Sequence, residues 1–160
     1  MESKREARRN IRRLLWRWGK VDETCMKLTQ DIEDKRNEIQ AVTDIKSPII
    51  TDMPHGTGIS DRTAKAAEKL ERLEQLYNEF IEYVTAKIDD ELRFQLAMNE
   101  AIHSLPAKQV WVIELRYKSE YSYERIARKT HYSIDHVKAL DSKACDRLME
   151  LITISKDNTF

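Results

Sequence analysis

The sequence predicts an all-α protein in which a long antiparallel helical hairpin, or a coiled coil, precedes a C-terminal helix-turn-helix domain. The 160 residues include only three Gly and three Pro, and 35% are charged, a composition typical of long solvent-exposed helices. Apolar residues recur at spacings of three and four along two stretches, as they do in paired helices. Most of the helix-breaking residues cluster between these stretches, in residues 46–60.

The first stretch, residues 3–45, is predicted to form one long helix with an apolar stripe. At ~1.5 Å per residue this helix would be about 60 Å long. Such a stripe cannot be buried by the helix alone, so a partner helix is required. The stripe follows a heptad spacing that is broken only at Lys35, and it comprises Ile11, Leu14, Trp18, Val21, Cys25, Leu28, Ile32, Ile39 and Val42.

The beginning of this helix is strongly basic, with eight basic and two acidic residues in positions 1–20. Basic residues at a helix N-terminus oppose the helix dipole, so helix stability does not explain them. They predict a contact with DNA phosphates, in addition to the DNA contact of the C-terminal domain that is described below. Alternatively, they form a surface for RNA polymerase or an acidic protein. The alternatives are a solvated face or pairing with the acidic middle of the chain. The residues concerned are Lys4, Arg5, Arg8, Arg9, Arg12, Arg13 and Arg17.

Residues 46–60 are predicted to be a Pro/Gly loop, and residues 61–103 a second long helix. Because the two helices match in length, they are expected to form a hairpin within one chain or to pair between chains. From Phe80 the apolar steps become four and four, a stutter that would place Leu92 and Leu96 inside. The full stripe is Ala66, Leu70, Leu73, Tyr77, Phe80, Val84, Ile88, Leu92, Leu96 and Ile102.

Residues 104–152 predict a helix-turn-helix domain, followed by a tail, 153–160, without a clear pattern. Leu105-Pro106 should end the second long helix. Ser122 and Ser133 can each cap a following short helix by accepting a backbone N–H bond. The apolar residues expected to pack this domain are Val110, Trp111, Ile113, Leu115, Tyr117, Tyr123, Ile126, Ala127, Val137, Leu140, Ala144 and Leu148.

The helix after Ser133 presents a polar face that suits the major groove of DNA. Lys138 can meet a phosphate or the acceptors of guanine, His136 can do either, and Asp135 can accept from cytosine. Cationic residues around the turn suit phosphate contacts. The candidate DNA-binding residues are Arg125, Arg128, Lys129, Ser133, Asp135, His136, Lys138, Ala139, Ser142 and Lys143. A helix-turn-helix that only packs or binds protein is the alternative.

The segment Ser104-Leu105-Pro106, with Val112-Ile113-Glu114-Leu115-Arg116-Tyr117 and Tyr121-Ser122-Tyr123-Glu124-Arg125-Ile126-Ala127, resembles the fourth region of bacterial sigma factors. With its long helical N-terminal part, the chain is similar to phage and prophage late-gene regulators of the RinA and ArpU type. The resemblance implies that the helix after the turn binds promoter or operator DNA. Thr130-His131-Tyr132 stands where that pattern has Leu-Gly, so His131 is expected to take the left-handed conformation that Gly favours.

Charge is distributed unevenly along the chain, although the net charge is zero. Residues 21–103 have ten basic and eighteen acidic residues, whereas residues 104–147 have nine basic and six acidic ones. Both ends could therefore approach a polyanion that the middle would repel. No membrane span or signal peptide is expected, since no apolar run reaches ~18 residues and none follows the basic N-terminus. Cys25 and Cys145 fit no metal spacing and suit a reducing cytoplasm.

No enzymatic activity, cofactor or metal is predicted. The histidines are scattered, and the acidic residues are expected on the solvent faces of long helices. The sequence predicts a sequence-specific regulator of transcription that binds double-stranded DNA as a homodimer or higher homo-oligomer. By resemblance it is a phage or prophage late-gene activator in the cytoplasm of a bacterial host. The alternatives are a small terminase-like subunit that recognises DNA for packaging, and a coiled-coil interaction factor that binds RNA polymerase.

Overall fold

A computed structural model describes the backbone of residues 4–44 and 61–157, and the side chains of residues 4–42 and 64–152. These ranges contain six α-helices, one π-helical turn and no strand, which confirms the predicted all-α class. The predicted loop, 46–60, lies outside the described residues. The helices are α1 (Lys4–Gly19), α2 (Val21–Asp44), α3 (Asp61–His103), α4 (Ala107–Ile113), α5 (Tyr123–Thr130) and α6 (Ile134–Asp157), and the π turn is Glu114–Lys118.

The chain forms two compact units. The first combines residues 1–24 with residues 90–160, and the second comprises residues 25–89. The basic helix α1 therefore belongs to the same unit as the helix-turn-helix segment. Its Ile11, Leu15 and Trp18 are buried in one core with residues from α3, α4, the π turn and α6.

The helix predicted over residues 3–45 is interrupted after Gly19. The Lys20 amide bonds to the Arg17 carbonyl three residues back, at 3.0 Å, instead of continuing the α-helical pattern. The backbone of Gly19 lies against the π turn, and a Cβ atom there would be 2.0 Å from the Tyr117 carbonyl oxygen. Only Gly allows this close approach of two backbones.

In the first unit, the chain around the α1–α2 junction runs antiparallel to the end of α3. The Trp18 indole donates to the Asn99 side chain at 2.8 Å. One turn further along, the Asp22 carboxylate accepts from the side-chain amide of Gln95 at 2.8 Å. The residue number therefore rises from Trp18 to Asp22 on one side and falls from Asn99 to Gln95 on the other. This confirms antiparallel packing within one chain for this part of the predicted hairpin.

The predicted continuation of the stutter to Leu92 and Leu96 is wrong, because these residues are 47% and 62% exposed whereas Met98 and Ile102 are buried. From Ile88 onwards, the inward positions follow a spacing of three and four that includes two polar residues. Glu91 is ion-paired with Arg17 at 2.8 Å, and Gln95 is bonded to Asp22. Since these positions are polar, hydropathy did not reveal that the phase continues.

The second unit brings the rest of α2 alongside the first part of α3. Hydrogen bonding with Tyr77 of α3 raises the pKa of Arg36 in α2, and Ile39 and Leu73 are half-buried nearby. Among the described side chains of this unit, Val84 is the only apolar one that is buried. The second unit therefore buries fewer of its described apolar side chains than the first unit does.

The C-terminal helices differ from the prediction in two respects. Trp111, expected in the apolar patch of α4, is 41% exposed, because Val112 and Ile113 are the residues that face the cores. Helix α6 continues to Asp157, into the tail for which the sequence showed no clear pattern. The π turn is closed by the Ser119 amide, which bonds to the Glu114 carbonyl at 3.1 Å.

Candidate nucleic-acid interface

Both predicted caps of the helix-turn-helix are present. Ser122 precedes α5 in extended conformation, and its Oγ accepts from the Arg125 amide at 3.2 Å. Ser133 precedes α6, and its Oγ accepts from the His136 amide at 3.2 Å. Each hydroxyl satisfies a backbone donor that the helix cannot pair internally. The start of each helix is thereby fixed at a single residue.

The turn between α5 and α6 depends on His131. This residue has φ 56° and ψ 30°, the left-handed conformation expected where the related pattern has Gly. The Tyr132 amide then returns to the Ala127 carbonyl at 3.1 Å, and the buried Thr130 hydroxyl donates to the Ile126 carbonyl at 2.8 Å. A left-handed non-Gly residue costs free energy, so the surrounding bonds hold the turn against some strain.

A small apolar core holds the two helices at their crossing. Ile126 and Ala127 of α5 and Val137 and Leu140 of α6 are buried, as the sequence predicts. They pack with Val112 and Leu115 from the α4 region. This core leaves the opposite side of α6 for other contacts.

The candidate recognition face is exposed as predicted, with one exception. Asp135, His136, Lys138, Ala139 and Lys143 are exposed, whereas Ser142 is half-buried. The His136 ring packs edge-on against Tyr132, with centroids 4.9 Å apart. Its orientation is thus restricted before any ligand binds.

Two of the candidate phosphate contacts lie over one aromatic ring at the start of the motif. The Arg125 guanidinium is 3.8 Å from the centroid of Tyr121, and the Lys129 ammonium is 5.3 Å from it. Arg116, which was not predicted, donates to the Tyr121 carbonyl at 2.8 Å. These contacts restrain long cationic side chains, while Arg128 is also exposed on α5.

The basic residues of α1 divide into two groups. Arg8 makes a two-bond ion pair with Asp146, with both N–O distances 2.6 Å, and Lys4 is 3.4 Å from the same carboxylate. Arg12 and Arg17 pair with Asp141 and Glu91, respectively. Arg5, Arg9 and Arg13 are exposed. Of these carboxylates, only Glu91 comes from the acidic middle of the chain.

These ion pairs are reflected in the acidities of their members. Hydrogen bonds from Arg8 lower the pKa of Asp146 and raise that of Arg8 itself. Burial lowers the pKa of Arg12, but the charge and hydrogen bonds of Asp141 outweigh burial and raise it. Arg8, Arg12 and Asp146 are therefore charged at neutral pH, and α1 is bound to α6 by charge-assisted bonds.

Comparison with known protein families supports the motif directly. Residues 101–150 match the family model described as sigma-70, region 4. Searches of curated proteins and of solved structures found no significant match. The family match supports a region-4-like helix-turn-helix, and with it a DNA-binding function of the transcription-regulator type.

The region-4-like motif also contains a buried carboxylate that the sequence analysis missed. Asp141 is fully buried in α6, contrary to the expectation that acidic residues lie on solvent faces. It accepts from the Tyr117 hydroxyl at 2.9 Å, from the Tyr123 hydroxyl at 3.1 Å and from Arg12 at 2.8 Å. Its position four residues after Val137, on the apolar stripe, was the signal that could have identified it.

This carboxylate changes the chemistry of its surroundings. Burial and the Asp141 charge raise the pKa of Tyr117 and Tyr123. The same causes raise the pKa of the buried Cys145 thiol to about 12. These groups are therefore neutral under physiological conditions, and they act as structural donors or apolar fillers.

The described residues contain neither a metal site nor a membrane span. No group of His, Cys, Asp and Glu with metal-binding geometry occurs among them. Within the same part of the chain, no helix is both long and apolar enough to cross a membrane. The exposed polar face of α6 and the exposed arginines of α1, Arg5, Arg9 and Arg13, remain the candidate ligand-binding surfaces.

Proposed function

We propose that the chain is a sequence-specific DNA-binding regulator of transcription. The observation that carries the proposal is the exposed polar face of α6, which begins at a capped N-terminus directly after the turn of a region-4-like motif. In helix-turn-helix proteins this part of the second helix enters the major groove. The apolar core behind α6 fixes the face in position.

In the proposed complex, the first turns of α6 read base edges. Lys138 donates to guanine acceptors or to a phosphate, His136 to either, and Asp135 accepts from cytosine, while Ala139 allows close approach. The other predicted residues hold the DNA backbone or the helix start, namely Arg125, Arg128, Lys129, Ser133, Ser142 and Lys143. Phosphate contacts of this kind set the register of the protein on the duplex.

We further propose that the biological role is late-gene activation in a phage or prophage, within the cytoplasm of a bacterial host. This proposal is supported by the resemblance of residues 104–137, behind a long helical N-terminal part, to such regulators. RNA polymerase would be the second partner. A homodimer or higher homo-oligomer would place two or more recognition helices on repeated half-sites.

The test begins with selection of a preferred site from random duplexes, followed by fluorescence anisotropy on the selected and on random DNA. Lys138→Ala should weaken binding to the selected site by about 1–3 kcal/mol and relax its sequence preference. The matched control is Lys69→Ala, which removes the same charge from an exposed position of α3.

Each other result has a definite meaning. An equal loss on all duplexes would make Lys138 a phosphate contact. No effect on any duplex would refute the proposed recognition face. Absence of DNA binding even at low salt would instead favour an interaction factor for RNA polymerase. A ring of many subunits, measured by light scattering, would favour a DNA-packaging subunit.

A further inference from the structure

The arginines of α1 and the recognition helix meet at one cleft. Four arginines of α1 line it together with one residue of α6, and its volume is about 330 Å³. Arg12 reaches across to Ser142, with 3.5 Å between Nη2 and Oγ. The lining residues are Arg5, Arg8, Arg9, Arg12 and Ser142.

The cleft lies in line with the proposed recognition face. Asp135, Ala139, Ser142 and Asp146 follow one another at spacings of four, three and four, so they share one side of α6. Ala139 and Asp146 are seven residues apart, which is about 10 Å along the helix. DNA that contacts Asp135 and Ala139 would therefore bring its backbone towards Ser142.

The charges in the cleft have separate roles. Arg8 and Arg12 hold α1 against α6 through Asp146 and Asp141. Asp146 would otherwise present a negative charge at the end of the recognition side, and Arg8 and Lys4 compensate it. Four arginines and Lys4 against these two carboxylates leave a net charge of about +3 around the cleft.

We infer that Arg5 and Arg9 bind a phosphate of the DNA backbone beside Ser142, so that α1 and α6 form one composite DNA-binding surface. Arg5 and Arg9 are exposed members of the cleft lining, and a guanidinium can bind a phosphate through two parallel bonds. This inference rests on the proposed function. It extends the DNA-binding surface to residues that lie outside the matched segment, 101–150.

The test is the salt dependence of binding to a random duplex, measured by fluorescence anisotropy with the full chain. Arg5→Gln/Arg9→Gln should make the slope of log K against log salt shallower by about 0.9 for each phosphate that is no longer neutralised. The matched control is Arg72→Gln/Arg93→Gln, which removes two exposed arginines from α3. The control should leave the slope unchanged. Circular dichroism would verify that both variants fold like the wild type.

Point substitutions are required because deletion of α1 would remove Ile11, Leu15 and Trp18 from the core. If Arg5→Gln/Arg9→Gln retains the wild-type slope while Lys138→Ala weakens binding to the selected site, the composite surface is refuted and the proposed function stands. If the wild type binds no duplex at low salt, both fail. If the double variant and its control change the slope equally, Arg5 and Arg9 contribute only to the overall charge of the protein, and the inference is overturned.

Discussion

Replacement of Asp141 by Ala should destabilise the first unit by about 3 kcal/mol. The carboxylate is fully buried, and its donors come from three other parts of the unit, α1, the π turn and α5. Removal of the acceptor leaves these donors without their partner. A buried donor that loses its hydrogen bond costs more than the bond itself contributes, because its desolvation is no longer compensated.

The magnitude follows from the exposure of each donor. Tyr117 is 1% exposed, so its hydroxyl has no access to water and accounts for about 1–3 kcal/mol. The half-buried Tyr123 can be rehydrated, and its share is about 0.5–1 kcal/mol. The Arg12 side chain is 40% exposed, so the loss of its ion pair with Asp141 contributes only about 0–1 kcal/mol to the destabilisation. The figure of about 3 kcal/mol lies near the middle of the combined range.

The assay is urea unfolding of Asp141→Ala, Tyr117→Phe and the double variant, with stabilities compared at equal denaturant slopes. Removal of the Tyr117 hydroxyl should be costly in the wild type and nearly neutral once Asp141 is absent. The double-mutant cycle should therefore give a coupling energy above about 1 kcal/mol. A coupling below about 0.3 kcal/mol would refute the reasoning. Asp141→Asn should lose less than Asp141→Ala, since an amide can accept from Arg12 while donating to the Tyr117 hydroxyl.

Three further variants test individual features of the fold. Gly19→Ala should destabilise the protein by about 1–3 kcal/mol in urea unfolding, because the new Cβ would overlap the Tyr117 carbonyl. His131→Gly should raise the free energy of unfolding by about 0.5–1 kcal/mol by relieving left-handed strain; a lower melting temperature would contradict this. The stabilisation due to Asp146, whose pKa is lowered by Arg8, should be complete above about pH 5 and lost as pH falls below about 4. The difference in unfolding free energy between wild type and Asp146→Asn should therefore shrink on acidification.

Local signals predicted the helix-turn-helix well. Ser122 and Ser133 were identified as caps because a hydroxyl before an apolar run has a defined partner two or three residues later. The left-handed residue of the turn was placed at His131 from a pattern in which Gly occupies that position. Each of these inferences depends on neighbours within a few residues, where sequence distance and spatial distance agree.

Features that depend on distant partners could not be predicted in the same way. Arg8 and Asp146 are 138 residues apart, and each looks like a solvated surface charge in its own segment. The inward positions Glu91 and Gln95 were missed for the same reason. Their polar side chains bond to Arg17 and Asp22, which lie on other helices and are distant in sequence. Hydropathy therefore shifted the predicted stripe of α3 to Leu92 and Leu96, which the structure exposes.

The placement of α1 bears on where the DNA-binding domain begins. The family match starts at residue 101, but the compact unit that contains the motif also requires residues 4–24. The ion pairs of Arg8 and Arg12 end on α6, the helix that carries the candidate recognition face. A change in α1 would therefore move or destabilise that face even without contact to DNA.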